Sequence, residues 1–307
     1  MSNYVIANCI DFDGVKLPES FKQVRKEIED FEVRQNDVWV TSYSKCGTTW
    51  CQELVWLVCN NMDYEGAKKH LEIRFPFIEY SSVALAVGQF IEDNNIKSDY
   101  SDHKTFPNPI KLLEDDEKVR YIKSHLPWNF LPKQIVNGIK TPKIIHVIRN
   151  PKQVVLSYYH HATNIFPVFK GSLNQFVDAY IKGEVLYGDY FTTVLPYLEQ
   201  KHRENLLIIT YEEMSSDLIG VINKVSKFMN KSYSDEAIKE LAKHLSFDQM
   251  KENRAVNKSD FVKNESVKFI RKGKSDSYKS ELDEEMIKKL DDWIEKSTKG
   301  VDFLYKN

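Results

Sequence analysis

The segment Thr41-Ser42-Tyr43-Ser44-Lys45-Cys46-Gly47-Thr48-Thr49-Trp50 gathers a lysine, a glycine and several hydroxyl side chains. Groups of this kind hold anions. Gly47 lets the main chain approach a phosphate closely. Lys45 adds a point charge, and Thr48 and Thr49 add hydroxyl donors. The order differs from the common GxxxxGK[ST] loop, because the lysine precedes the glycine. That difference argues against a magnesium-dependent NTPase or kinase. The plainer alternative is a strand-to-helix turn with a solvated lysine and a capping threonine.

Other residues of chemical interest are scattered along the chain. His125 follows Lys123 by two positions, Arg149 precedes Asn150-Pro151, and Tyr211 precedes Glu212-Glu213. Each has an ordinary structural reading: a strand-end histidine, an ion-paired arginine, a tyrosine at the edge of a core. A histidine titrating near neutrality could also serve as a base.

The elements around them decide whether these groups can meet. Asp37–Tyr43 alternates and is rich in β-branched residues, as a buried strand should be. Thr49–Cys59 reads as a buried helix. The phosphate loop would thus join a strand to a helix N-terminus, which offers unpaired N–H groups and a partial positive charge. Arg120–Lys123, Lys143–Arg149 and Leu206–Thr210 read as further strands. Pro151–His161, Leu218–Met229, Asp235–Lys243 and Glu284–Lys296 read as helices, the first opened by a proline at a favourable position. Ser20–Phe31 reads as a charged helix after a polar, mixed N-terminus. Residues 62–118 read as helices and loops that cover a pocket. Strands alternating with helices predict an α/β fold: a single domain over 1–307, its core about 37–300, with a central, mostly parallel sheet flanked by helices. Ligands of such sheets bind at the carboxyl ends of the strands.

Composition narrows the function class. Lys and Arg number 43 and Asp and Glu 45, for a net charge of −2. No global attraction to nucleic acid or to an anionic membrane follows, so an anion site must be local. Cys9, Cys46, Cys51 and Cys59 form no CxxC pair and no zinc-ligand spacing. Scattered cysteines and the absence of a leader-like N-terminus predict a cytoplasmic protein. Cys46, at a helix start beside Lys45, is expected to have a lowered pKa unless it is simply an inert small residue.

The loop resembles the 5′-phosphosulfate loop of the cytosolic sulfotransferases, written TYPKSGTTW. Ser44 stands here for the proline and Cys46 for the serine. Further segments extend the resemblance in order from about 37 to about 300. Lys123-Ser124-His125-Leu126-Pro127 is similar to the segment with the catalytic histidine. Arg149-Asn150-Pro151, with Ser157 further on, is similar to the 3′-phosphate segment. Tyr211-Glu212-Glu213-Met214 is similar to YEDM, whose tyrosine contacts the nucleotide. Ser246-Phe247-Asp248-Gln249-Met250-Lys251 is similar to the adenine-side segment, with Leu245 in place of its threonine. Arg271-Lys272-Gly273 is similar to the stretch that closes on the 3′-phosphate; the family's following Gly-Asp-Trp reads Asp276-Ser277-Tyr278 here. The dimer motif is poorly matched after Lys279.

The resemblance implies 3′-phosphoadenosine 5′-phosphosulfate (PAPS) as sulfuryl donor, 3′-phosphoadenosine 5′-phosphate (PAP) as product, and no metal. It implies Lys45, Cys46, Gly47, Thr48 and Thr49 around the 5′-phosphosulfate, and Trp50 against the adenine opposite Phe247. Arg149, Ser157, Arg271, Lys272 and Gly273 would serve the 3′-phosphate, with Tyr211 and Phe247 on the nucleotide. His125 is the expected general base, assisted by Lys45 and Lys123. The acceptor is expected to be a small, largely apolar molecule with a hydroxyl, in a pocket drawn from Phe75–Tyr80, Phe166 and Tyr187. A dehydratase that works through sulfonation, a nucleotide kinase and a non-catalytic carrier are the competing readings.

Overall fold

The computed structural model describes residues 5–95, 108–257 and 277–305. The strands are β1 (Val5–Ile6), β2 (Cys9–Phe12), β3 (Val15–Pro18), β4 (Val38–Ser42), β5 (Tyr121–Ser124), β6 (Lys143–Ile148), β7 (Phe169–Lys170) and β8 (Leu206–Thr210). The helices begin with α1 (Phe21–Glu29), α2 (Thr48–Cys59), α3 (Leu71–Arg74), α4 (Tyr80–Asp93), α5 (Pro109–Asp115), α6 (Lys133–Val136) and α7 (Pro151–Asn164). They continue with α8 (Leu173–Ile181), α9 (Tyr190–Glu199), α10 (Tyr211–Ser216), α11 (Leu218–Phe228), α12 (Asp235–His244), α13 (Phe247–Glu252) and α14 (Glu284–Ser297).

The central sheet has four strands in the order β5-β4-β6-β8. Each neighbouring pair is parallel. β4 is buried along its whole length, as expected for a strand covered on both faces. Side chains alternate between two cores. Trp39, Ile122, Ile144 and Ile148 pack on one face, with α1, α7, α8, α9 and α14. Val38, Val40, Tyr121, Ile145, Val147 and Ile209 pack on the other, with α2, α11 and α12.

Register is what matters for function. Thr41 stands opposite Ser124, Ser42 opposite Val147, and Ile148 opposite Thr210. The carboxyl ends of all four strands are therefore level. The residues that follow them, including His125, Arg149 and Tyr211, leave the sheet along one edge. At the opposite end Arg120 forks onto Asp37 at 2.8 and 2.6 Å, and both are buried. Breaking a buried pair of this kind by removing one partner costs about 3–5 kcal/mol.

Several elements go beyond the sequence reading. The mixed N-terminus holds an antiparallel hairpin, β2–β3, whose turn residues Asp13 and Gly14 have φ of 51° and 88°. Asp-Gly is the favoured pair for such a turn. The helix α9 forms in spite of an internal proline, Pro196. Residues Pro76–Ile78 run beside β5: Ile78 N–H donates to the Lys123 carbonyl at 3.0 Å and Lys123 N–H to the Pro76 carbonyl at 2.9 Å. This stretch was expected only to cover a pocket. It instead extends the sheet edge next to His125. Among the described residues no helix is long and apolar enough to cross a membrane.

Candidate active site

The loop between β4 and α2 is held in an unusual conformation. Lys45 has φ of 71° and Gly47 φ of 99°. A non-glycine residue in that region is strained, and such strain concentrates at functional sites. The loop is braced from three sides. The Ser42 and Thr48 hydroxyls lie 2.6 Å apart. Arg149 Nη1 donates to the Lys45 carbonyl at 3.1 Å. A Cβ on Gly47 would stand 2.7 Å from Tyr211 Cδ2, so only glycine lets the loop pass this ring. No side chain among the described residues caps the N-terminus of α2. Its first N–H groups thus keep their capacity for an anion.

Of the two readings of Cys46, the inert small residue holds and the lowered pKa does not. The Cys46 side chain is fully buried and belongs to the core that also holds Tyr43. Burial pushes its thiol pKa well up, and the nearby Arg149 charge offsets this only in part. The loop turns its sulfur inward at this point.

Arg149 follows β6 and reaches across to the loop. Its guanidinium carbon sits 3.9 Å from the centroid of the Tyr211 ring. Its Nε is buried with no hydrogen-bond partner among the described residues. Tyr211 in turn meets Trp50 edge-on at 5.7 Å. Trp50 Nε1 donates to the Leu245 carbonyl at 2.9 Å, which brings the tryptophan to the segment that carries Phe247. Leu245 itself is buried in the core below. The Leu245 side chain is packing, and its carbonyl is occupied by Trp50. Phe247 and Ser157 are half-buried, on α13 and α7. Arg271, Lys272 and Gly273 lie outside the described residues.

His125 stands directly beyond β5 and is nearly buried. Its Nδ1 lies 2.8 Å from the Ser42 carbonyl oxygen. Its ring meets Phe77 at 5.1 Å and Tyr187 at 5.4 Å, both edge-on. Its main-chain N–H donates to Glu79 Oε1 at 2.6 Å. Lys123 Nζ rests 3.9 Å from the Phe77 centroid, a cation–π contact. The anticipated acceptor residues divide. Phe77 and Tyr187 flank the histidine. Phe75 points to the other face of the sheet and is sealed against Tyr121. Phe166 packs on His161 at 5.1 Å. Glu79 and Ser42 were not anticipated as partners of His125. The lone acid in the apolar run Phe75–Val87 is the signal that could have drawn attention to Glu79.

One edge thus carries an anion loop, an arginine with an unspent donor, and a histidine held in one orientation. Residues 35–302 match the family model described as the sulfotransferase domain. The chain belongs to the sulfotransferase family. It is 40% identical over 300 residues to the luciferin sulfotransferase of Photinus pyralis, covering 95% of this chain and 80% of that protein. It is 30% identical over 293 residues to sulfotransferase 1E1 of Bos taurus, covering 94% and 92%. Among solved structures, retinol dehydratase in complex with androsterone and the inactive cofactor PAP superimposes with a TM-score of 0.86 at 26% identity, covering 98% of this chain and 92% of that one. This sulfotransferase is an enzyme that uses PAPS, and its family moves sulfuryl groups to hydroxyl acceptors.

Proposed function

We propose that this sulfotransferase transfers the sulfuryl group of PAPS, in line, to the hydroxyl of a small and largely apolar acceptor, with His125 as general base. The observation that carries this reading is the Nδ1 contact of His125 with the Ser42 carbonyl. A carbonyl oxygen only accepts, so the neutral ring bears its proton on Nδ1 and its lone pair on Nε2. That lone pair can take the acceptor's proton while the acceptor oxygen bonds to sulfur and the sulfur–phosphate oxygen bond breaks.

The residues present fit the donor. The Arg149 guanidinium, held beside the loop and over Tyr211, suits the 3′-phosphate, aided by Ser157, Arg271, Lys272 and Gly273. The uncapped start of α2, with Lys45, Gly47, Thr48 and Thr49, suits the 5′-side. Lys45 neutralises charge growing on the departing phosphate, and Lys123 assists at the sulfuryl oxygens. Trp50, Tyr211 and Phe247 hold the adenosine. The rings of Phe77 and Tyr187 beside His125 favour an acceptor with a flat, apolar body. A ring-bearing alcohol agrees with the androsterone held by the structural neighbour.

The test has two stages. PAP should stabilise the protein against heat far more than 5′-AMP, because only PAP carries the 3′-phosphate. Labelled PAPS with a panel of phenols and alcohols should then give sulfate esters. Equal shifts for PAP and AMP would sink the assignment of the second anion site. A second reading draws on the likeness to retinol dehydratase: sulfonation that drives dehydration of the alcohol. Its product would lack both the oxygen and the sulfate, and mass analysis separates the two.

A further inference from the structure

Glu79 is completely buried, a rare state for a carboxylate. It stands at the N-terminus of the 14-residue helix α4, where an acidic side chain ordinarily caps free N–H groups. This one makes no such cap. It turns back toward β5 instead. Its Oε1 accepts from the His125 main-chain N–H at 2.6 Å and from the Tyr187 hydroxyl at 3.4 Å. Its Oε2 is buried with no hydrogen bond among the described residues. The strand-like stretch Pro76–Ile78 fixes this placement by its paired main-chain bonds to Lys123.

The cost of such an arrangement is high. A buried carboxylate keeps its charge only where hydrogen bonds and opposite charges offset its desolvation; otherwise it takes up a proton. The groups that face it are few. Lys123 on β5 favours its ionised form, as does the Ser124 side chain. The Tyr187 hydroxyl, before α9, is itself held neutral by burial. The Tyr197 hydroxyl on α9, also held neutral by burial, and His125 face it as well. Burial raises the Glu79 carboxyl to about 7, against the pull of the His125 N–H and of Lys123, so its negative charge is in place from about neutral pH upward.

We propose that Glu79 is a positioning residue for sulfuryl transfer: its carboxylate fixes the main chain of His125 and supplies the negative charge against which the imidazole takes up the acceptor's proton. The proposal rests on the reading of His125 as the base. An imidazolium forms as the acceptor hydroxyl is deprotonated, and a carboxylate in a water-poor site stabilises it without having to reorganise.

Glu79→Gln keeps the shape and the acceptor for the His125 N–H but removes the charge. Glu79→Asp keeps the charge on a side chain one methylene shorter. We expect Glu79→Gln to lower kcat about tenfold, leave KM for PAPS within about twofold, and move the acidic limb of the kcat profile down by about half a pH unit. Glu79→Asp should lose kcat while the limb stays in place. A merely structural role would lower thermal stability and leave kcat and the limb of the folded fraction unchanged, which overturns the proposal. His125→Ala is run beside them. Wild-type kcat in His125→Ala removes the base assignment and this proposal with it. An inactive His125→Ala beside a Glu79→Gln enzyme of wild-type kcat and limb removes the Glu79 proposal alone. PAP-induced thermal stabilisation reports that each variant is folded. Where Glu79→Gln fails that control, wild-type kcat in Glu79→Asp overturns the proposal.

Discussion

The Nδ1 of His125 meets the carbonyl of Ser42 at 2.8 Å, and the Ser42 hydroxyl meets Thr48 Oγ1 at 2.6 Å. One residue at the end of β4 thus sets both the tautomer of the proposed base and the start of the phosphate loop. Base and loop are oriented by the same rigid strand, which suits a reaction whose partners must be placed to within a fraction of an ångström.

Replacing His125 by alanine removes the proposed base while leaving the loop intact. Turnover should fall roughly 100-fold or more, with PAP binding little changed. Steady-state kinetics with a phenol acceptor, paired with PAP thermal shifts, measures both. Retained turnover would show that the acceptor proton leaves by another route.

Alanine at position 47 should damage donor binding directly. The φ of 99° is unfavourable for any side chain, and the added Cβ would collide with Tyr211 at 2.7 Å. Strain of about 1–2 kcal/mol is expected from the backbone alone. The Tyr211 ring must also move off Arg149, so PAP affinity should fall about tenfold or more. Calorimetric titration with PAP decides the matter.

Cys46 should be inert in the folded protein. Its thiol is buried and its pKa lies well above the usual range. Treatment with a maleimide near neutral pH should leave it unlabelled until denaturant is added, and PAP binding should survive. Peptide mass spectrometry reads the outcome. Rapid labelling that PAP prevents would restore the thiolate reading.

His146 provides a pH signature of stability. It is fully buried, stacked on Tyr197 at 3.7 Å, with Thr41 Oγ1 at 2.9 Å from its Nδ1. Burial lowers its pKa from 6.5 to about 3. The folded value lies below the unfolded one, so the folded state resists protonation. The stability involved is present above pH 6.5 and is lost as pH falls from there toward about 3, at no more than about 1.4 kcal/mol per pH unit. His146→Gln should show a shallower decline over that window in urea unfolding. Parallel curves for the two proteins would refute the assignment.

Much of the site was legible in the residues themselves. The strands β4, β6 and β8 announce themselves as apolar, β-branched runs, and Asn150-Pro151 marks the start of α7. Lys45, Gly47 and Thr48 stand together in sequence, so their joint use of one loop needs no tertiary information. The N-terminal hairpin carries a turn signal at Asp13-Gly14, but its two strands are only four residues each, too short for their alternation to stand out from the mixed sequence around them. Glu79 was not read, because a carboxylate in an apolar run gives no sign of which neighbour it will meet.

The sequence by itself determined the strand-to-helix loop, the parallel α/β character and the order of the motifs, because hydrophobic period and turn chemistry act over a few residues. Tertiary structure alone decided which side chain faces what. Register levelled the ends of β4, β5, β6 and β8 and so assembled His125, Arg149 and Tyr211 on one edge. It also sent Phe77 to His125 but Phe75 to the opposite core, turned the Cys46 sulfur inward, and folded Glu79 back onto His125. Those outcomes depend on pairings between residues far apart in the chain, where a shift of one position exchanges the two faces of a strand.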